Sequence, residues 1–349
     1  MEAVGSDWLK ENLAEIEASF EAAANVSVDR YEIGGAAVEL RFASPALRER
    51  LTRAFAHVAV PAGASAASLT VHLWDSASTG ADPPPRPETP ADQPQGALYH
   101  LAEPPLRAAY QPGLETLSVL DSEAGVAWFW IANAFEQPSW DQACPIRQIL
   151  FWWLAGRGYL QVHGAAVGTE AGGVLVVGTP GSGKSTVALA CLDSELRYAG
   201  DDYVAVEVEP SPNVASLYNS AKLEPEHVRE LLPHLLPLLA NADRLETEKA
   251  VLYVHEHFPE RTTAGFPLRA VLVPKLRPAR QETRIAEASR ATAFAALGPS
   301  TIFQLHTAGA AELATMSSLV ARVPCYTLEV GADPTTIPPA VLSILRPDE

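Results

Sequence analysis

The feature that most constrains this chain is the run Gly178-Thr-Pro-Gly-Ser-Gly183-Lys184-Ser185, which fits the phosphate-binding pattern G-x-x-x-x-G-K-[S/T]. It follows a short apolar run, Gly173–Val177, that reads as a buried strand. It leads into Thr186–Leu192, which reads as a helix. The residue types have chemical reasons. Gly178, Gly181 and Gly183, with Ser182 among them, let successive backbone N–H groups turn inward around a β-phosphate, and the helix N-terminus adds partial positive charge. Lys184 reaches the β- and γ-phosphates, the Ser185 hydroxyl takes a place on Mg²⁺, and Thr186 continues the turn into the helix. Strand, tight loop and helix in that order call for an α/β domain that binds ATP and Mg²⁺. The N-K-x-D guanine signature and the L-S-G-G-Q element are absent from the chain, and no apolar run ending in Asp follows in the stretch after Asp202.

Soon after the loop comes Gly200-Asp201-Asp202-Tyr203. The spacing leaves room for one helix and a return strand that ends beside the loop. Both carboxylates then face the γ-phosphate and metal. One can hold Mg²⁺, and the other can accept a proton from an attacking hydroxyl. An isolated Asp-Asp pair is more often a solvated turn, and the neighbouring loop is what shifts the reading. Upstream, His163 in Gln161-Val-His-Gly-Ala-Ala-Val167 falls at a strand start, on the strand before the loop strand. It is placed either to tune the acidic pair or to serve as a packed or surface histidine.

Charge and lysine usage sharpen the picture. The 349 residues carry a net charge of −17, which excludes a nucleic-acid or anionic-membrane surface as the working partner. Of 25 basic residues, only Lys10, Lys184, Lys222, Lys249 and Lys275 are lysines. Lys222 precedes a helix that starts near Pro225, and Lys249 precedes the strand-like run Val251–Val254. They read either as phosphate or substrate contacts, since a compact ammonium suits a phosphoryl oxygen, or as ordinary surface lysines.

These motifs, His163-Gly-Ala-Ala-Val167, Gly178–Thr186 and Gly200-Asp-Asp-Tyr-Val204, resemble in order and spacing the HPr kinase/phosphorylase family and its relatives, including serine kinases of ribosomal peptide tailoring clusters. The likeness covers about residues 160–345. It implies a C-terminal P-loop kinase domain of HPr kinase type with a mixed sheet, and a serine hydroxyl of a peptide or protein as acceptor. It also implies that His163 assists an acidic base, that Asp201 is that base and that Asp202 helps hold metal or phosphate. The family's later acidic metal ligand and its C-terminal signature are not found. The first part of the chain does not resemble the small N-terminal domain of the bacterial enzyme. The resemblance thus reaches the nucleotide machinery and not the acceptor reader. A small-molecule hydroxyl acceptor, a nucleoside-triphosphate hydrolase or phosphorylase, and a non-catalytic nucleotide-binding adaptor share the same residues.

The length suggests two domains: residues 1–143, a smaller α+β domain and candidate substrate reader, and residues 144–349, the nucleotide-binding domain. In the first, Trp8–Ala24 reads as an amphipathic helix, Val28–Ile33 and Ala37–Phe42 as a hairpin, and Leu114–Leu120 with Val126–Ile131 as another, in a sheet of antiparallel strands. Prolines 83, 84, 85, 87, 90 and 94 make Ser76–Gly96 a mobile surface loop. Phe151, Trp152 and Trp153 form either a ligand platform or a packed helix. His255 and His257 would share a strand face, without a nearby third ligand for a metal. Cys144, Cys191 and Cys325 are too scattered for a disulfide framework. The N-terminus lacks a signal-peptide pattern and no run is long enough to span a membrane, so the expected compartment is cytoplasmic. The oligomeric state stays open, a homo-oligomer included.

Overall fold

The fold is seen in a computed structural model, which describes residues 5–23, 25–61, 63, 66–89, 99–100, 104–304 and 309–346. The chain divides into two compact units: Met1–Arg53 with Val58–Gly156, and Ala54–His57 with Arg157–Glu349.

The first unit is built on a seven-stranded sheet in the order Ser27–Ile33, Ala36–Phe42, Leu69–Asp75, Val126–Ile131, Thr116–Asp121, Leu106–Gln111, Tyr99–His100. Both expected hairpins are present, the first turning at Gly34 and Gly35 with positive φ. The sheet is nevertheless mixed, not antiparallel throughout. Leu69–Asp75 runs parallel to both Ala36–Phe42 and Val126–Ile131. Parallel neighbours need a long crossover, and residues 43–68, with the helix Pro45–Phe55 capped by Ser44, supply one of them. Leu9, Ile16 and Phe20 of the helix Gly5–Ala22 pack with Trp74, Leu117, Val119 and Trp130. All seven tryptophans, from Trp8 to Trp153, belong to this unit. Phe151, Trp152 and Trp153 are buried in the helix Arg147–Ala155, which favours packing over a ligand platform.

The proline-rich segment departs from expectation. Ser76–Thr79 forms one helical turn, because Asp75 accepts the Ser78 N–H at 2.8 Å and Gly80 closes the turn at φ 74°. Pro84 is buried, and Arg86 donates to Glu115 at 2.7 Å, with its guanidinium 5.8 Å from the Trp130 ring. These contacts pin residues 81–89, while 90–96 lie outside the described residues.

The second unit is a mixed α/β domain on a nine-stranded sheet. The loop strand Gly172–Val177 sits between Gly164–Thr169, antiparallel, and the long strand Gly265–Leu276, parallel. Arg197–Gly200 pairs with Gly164–Thr169, and Cys325–Val330 runs parallel to Gly265–Leu276. Side chains alternate along the loop strand. Val174 and Val176 join a core with the helix Lys184–Ala190 and Ile337–Leu345. Leu175 and Val177 join the opposite core, with Arg290–Gln304 and Ala310–Arg322. The sheet is therefore covered on both faces, as its nearly continuous apolar strands require. Ser220–Leu223 and Ala250–Tyr253 form a separate two-stranded ladder. Among the described residues no helix is long and apolar enough to cross a membrane.

Candidate functional site

The loop Gly178–Gly183 joins the end of the loop strand to the helix Lys184–Ala190. Gly183 adopts φ 99°, a left-handed conformation that side chains resist. A Cβ on Gly178 would lie 2.5 Å from Ser182 Oγ, so a larger residue there would require the Ser182 side chain to move. The Lys184 ammonium folds back onto the loop, donating to the Gly178 carbonyl at 2.8 Å and the Thr179 carbonyl at 3.2 Å. Burial lowers its pKa, and the charges of Asp201 and Asp202 oppose that fall.

Asp201 and Asp202 sit in the turn after Arg197–Gly200. The turn is held by the Tyr203 N–H on the Asp201 carbonyl at 2.8 Å and the Gly164 N–H on the Asp202 carbonyl at 3.1 Å. Asp202 has φ 66°, a left-handed conformation uncommon in non-glycine residues, which Asp tolerates better than most. Asp201 is 1% exposed. Its Oδ2 accepts the Lys222 backbone N–H at 3.2 Å, while Oδ1 is buried with no hydrogen-bond partner. Asp202 is more open, its side chain 26% exposed. Its Oδ2 pairs with the Lys222 ammonium, and its Oδ1 lies 3.2 Å from His163 Nε2.

The two carboxyls are pushed apart. Burial first, then the Asp202 charge, raises Asp201, against the pull of Ser185 and two backbone N–H groups. Burial also opposes the Asp202 charge, but the Lys222 ammonium and then His163 hold that carboxyl well below the usual carboxylate range.

His163 is a bend residue between Tyr159–Val162 and Gly164–Thr169, with its N–H on Thr301 Oγ1 at 3.3 Å. The ring joins the pair at Asp202, not at Asp201. Lys222 lies on the strand Ser220–Leu223, and its ammonium is 6.0 Å from the Tyr203 ring centre. Lys249 pairs with Glu224 at 2.9 Å, both largely exposed.

A cavity of about 70 Å³ gathers Gly181, Gly183, Lys184, Ser185, Lys222 and Lys249, together with Ser182, Thr186, Glu224 and His227. That is roughly twice the share of one water in the liquid, so it admits a phosphoryl group rather than a whole nucleotide. Sequence reasoning missed Glu224 and His227. The signal for Glu224 was the period of two along Ser220, Lys222 and Glu224, with Pro225 starting the helix at the next residue. A larger cavity of about 510 Å³, beside Ala190, Leu231, Pro338 and Leu342, is mostly apolar and has only the loose His234–Asp193 pair, 3.7 Å apart. The ionisable groups converge at the smaller one.

His255 and His257 do not share a strand face. Val254–His257 is one helical turn, and His255 Nδ1 meets Thr262 Oγ1 at 2.8 Å. Among the described residues, no group of three or more His, Cys, Asp or Glu is placed to hold a metal ion unaided.

No family model and no curated protein matches the chain. Among solved structures it is similar to the Hpr(Ser) kinase/phosphatase from Coxiella burnetii, at 13% identity and a TM-score of 0.30, covering 52% of this chain and 94% of that one. Likeness of that degree does not assign an activity.

Proposed function

We propose that the second unit is an ATP-dependent kinase domain that transfers the γ-phosphate to a hydroxyl. By the sequence resemblance that hydroxyl is a serine of a peptide or protein. The observation that carries this reading is convergence. The loop, Lys184, Ser185 and Lys222 line one small cavity, and Lys222 ties the Asp201–Asp202 pair to it through its backbone N–H and its ammonium. A binding module needs the loop and the lysine. It does not need two carboxylates with opposite proton affinities beside them.

The residues present fit a divalent ion. Ser185 and the acidic pair offer oxygen ligands, and the buried, unpartnered Asp201 Oδ1 is an acceptor in want of a cation or donor. Mg²⁺ keeps one or two protein ligands and takes the rest from phosphate and water, which suits a site with no protein-only cage. When bound, it would neutralise charge developing on the phosphates. The chain's own groups do the rest. Loop N–H groups and Lys184 seat the polyphosphate, Lys222 and His163 fix the pair, and a carboxylate receives the hydroxyl proton. The first unit is then the candidate acceptor reader.

The test is incubation of the full chain with γ-labelled ATP, Mg²⁺ and a panel of serine-containing peptides. Label is expected on peptide, and Lys184→Met is expected to lose about 100-fold or more in transfer. Phosphate release at full rate without any acceptor, or an unaffected Lys184→Met, would sink the kinase reading.

A further inference from the structure

We infer that Asp202, held by Lys222 and His163, is the carboxylate that meets the acceptor hydroxyl, and that Asp201 belongs with Ser185 on the metal side. This rests on the proposed reading that the loop Gly178–Gly183 takes a metal-bound nucleoside triphosphate, and it reverses the order that the sequence resemblance implies.

Access separates the two residues first. Asp201 is 1% exposed with Oδ1 buried, so it is the less approachable of the two for a bulky acceptor. The Asp202 side chain is 26% exposed. Successive residues of an extended strand point to opposite faces. The left-handed backbone at Asp202, φ 66°, breaks that alternation next to a site where such strain has a use.

Remaining valence separates them next. Each Asp202 oxygen already has one contact, to Lys222 or to His163, and each keeps a lone pair for a hydroxyl. The carboxylate is thus aimed and held but not saturated. Asp201 has the opposite deficit: one oxygen takes the Lys222 N–H, and the other has no protein partner although Ser185 is close enough to influence its ionisation. A divalent ion at Ser185 would meet that need.

Lys222 emerges as the positioning residue of the pair. Its backbone N–H fixes Asp201 and its ammonium fixes Asp202, so one residue on the ladder Ser220–Leu223 sets the spacing between the two functions.

The step balances as follows. The acceptor oxygen forms a bond to the γ-phosphorus. The bond from that phosphorus to the β–γ bridging oxygen breaks, and its electron pair leaves on the nucleoside diphosphate. The hydroxyl proton passes to Asp202. Phosphoryl transfer is mostly positioning, so a carboxylate held within reach of the hydroxyl suits it better than one out of reach.

The experiment compares Asp202→Asn with Asp201→Asn in the full chain. Mn²⁺ binding in the presence of ADP is followed by electron paramagnetic resonance, alongside transfer from labelled ATP. Asp202→Asn is expected to lose about 100-fold in kcat with its Mn²⁺ affinity held within about threefold. Asp201→Asn is expected to weaken Mn²⁺ about tenfold or more. The reverse pattern, Asp202→Asn losing the metal, overturns the order while leaving the kinase reading in place. No Mn²⁺·ADP binding by the unaltered chain overturns both. Should Asp201→Asn fail to fold, the Asp202→Asn arm decides alone: metal kept with transfer lost supports the inference, and metal lost overturns it.

Discussion

Buried carboxylates in the two units are treated in opposite ways. In the first unit, Glu39 is gripped on both oxygens: Oε2 takes two donors from Arg30, at 2.9 and 2.6 Å, and Oε1 takes one from Arg41 at 2.7 Å. Asp75, fully buried, spends both oxygens on the helical turn that follows it, at 2.8 Å from the Ser78 N–H and 2.5 Å from its hydroxyl. In the second unit, Asp201 is as deeply buried, yet one oxygen has no partner. Saturated buried charge marks structure. An unsaturated buried carboxylate next to the loop is what the proposed metal and phosphate site would fill.

The amide exchange Glu39→Gln against Asp201→Asn tests that contrast most strongly. Burial opposes the Glu39 charge, but its two arginines hold the carboxyl below its ordinary pKa, so the folded state favours the ion. Breaking the triad should cost about 3 kcal/mol, at the low end for buried pairs because both arginines are partly exposed. Burial first, then the Asp202 charge, disfavours the Asp201 ion instead, so Asn should be neutral or stabilising by about 1 kcal/mol. Calorimetry of both variants reads the two signs. Equal destabilisation would erase the distinction between the units.

The next largest effect shows that acid sensitivity is not what separates them. Each unit holds a half-buried histidine whose pKa is lowered. Burial pulls His72 down to about 4, with the Arg41 charge second, and pulls His57 down to about 3, with His255 second. For such groups the unfolded chain binds more protons between about pH 6.5 and the folded value. Stability should therefore fall as pH drops through that window and level off below it. His72 packs against Phe20 and Trp128, with ring centres 4.5 and 6.0 Å away, so His72→Phe should remove about 2 kcal/mol of the first unit's loss between pH 7 and 4. Hydrogen exchange at the two pH values measures it, and an unchanged slope would remove His72 from the explanation.

The smallest effect belongs to the rim of the cavity. Lys249 and Glu224 form an exposed pair, and such pairs contribute little to stability. Lys249→Met should leave the thermal midpoint unmoved and raise the KM for ATP about threefold, by removing one cation from the mouth. A shifted midpoint with unchanged KM would return Lys249 to the ordinary surface.

What the sequence made legible follows the distances over which each feature is encoded. The phosphate loop is contiguous, because its chemistry needs consecutive N–H groups, and Asp201-Asp202 are adjacent, so both could be read directly. The contact of His163 with Asp202 could not, because it depends on a left-handed φ at one residue and on Thr301 holding the His163 N–H from far along the chain. The parallel pairing of Leu69–Asp75 was hidden for a like reason, since neither neighbour is its hairpin partner. His255-x-His257 misled because a period of two argues for a strand only where the strand continues, and the ladder Ala250–Tyr253 ends just before it. The turn at Ser76 was readable in hindsight from Asp75 and Gly80, a start and a stop signal that the prolines overshadowed.

The confinement of all seven tryptophans to the first unit gives the molecule a built-in optical label. Light at the red edge of indole absorption, where tyrosine no longer absorbs, excites residues of that unit and none of the other. Emission recorded during urea unfolding follows the first unit, and far-ultraviolet dichroism follows both. Their difference resolves the two transitions without cutting the chain or attaching a dye. An acceptor peptide that docks on the first unit would announce itself as a change in emission.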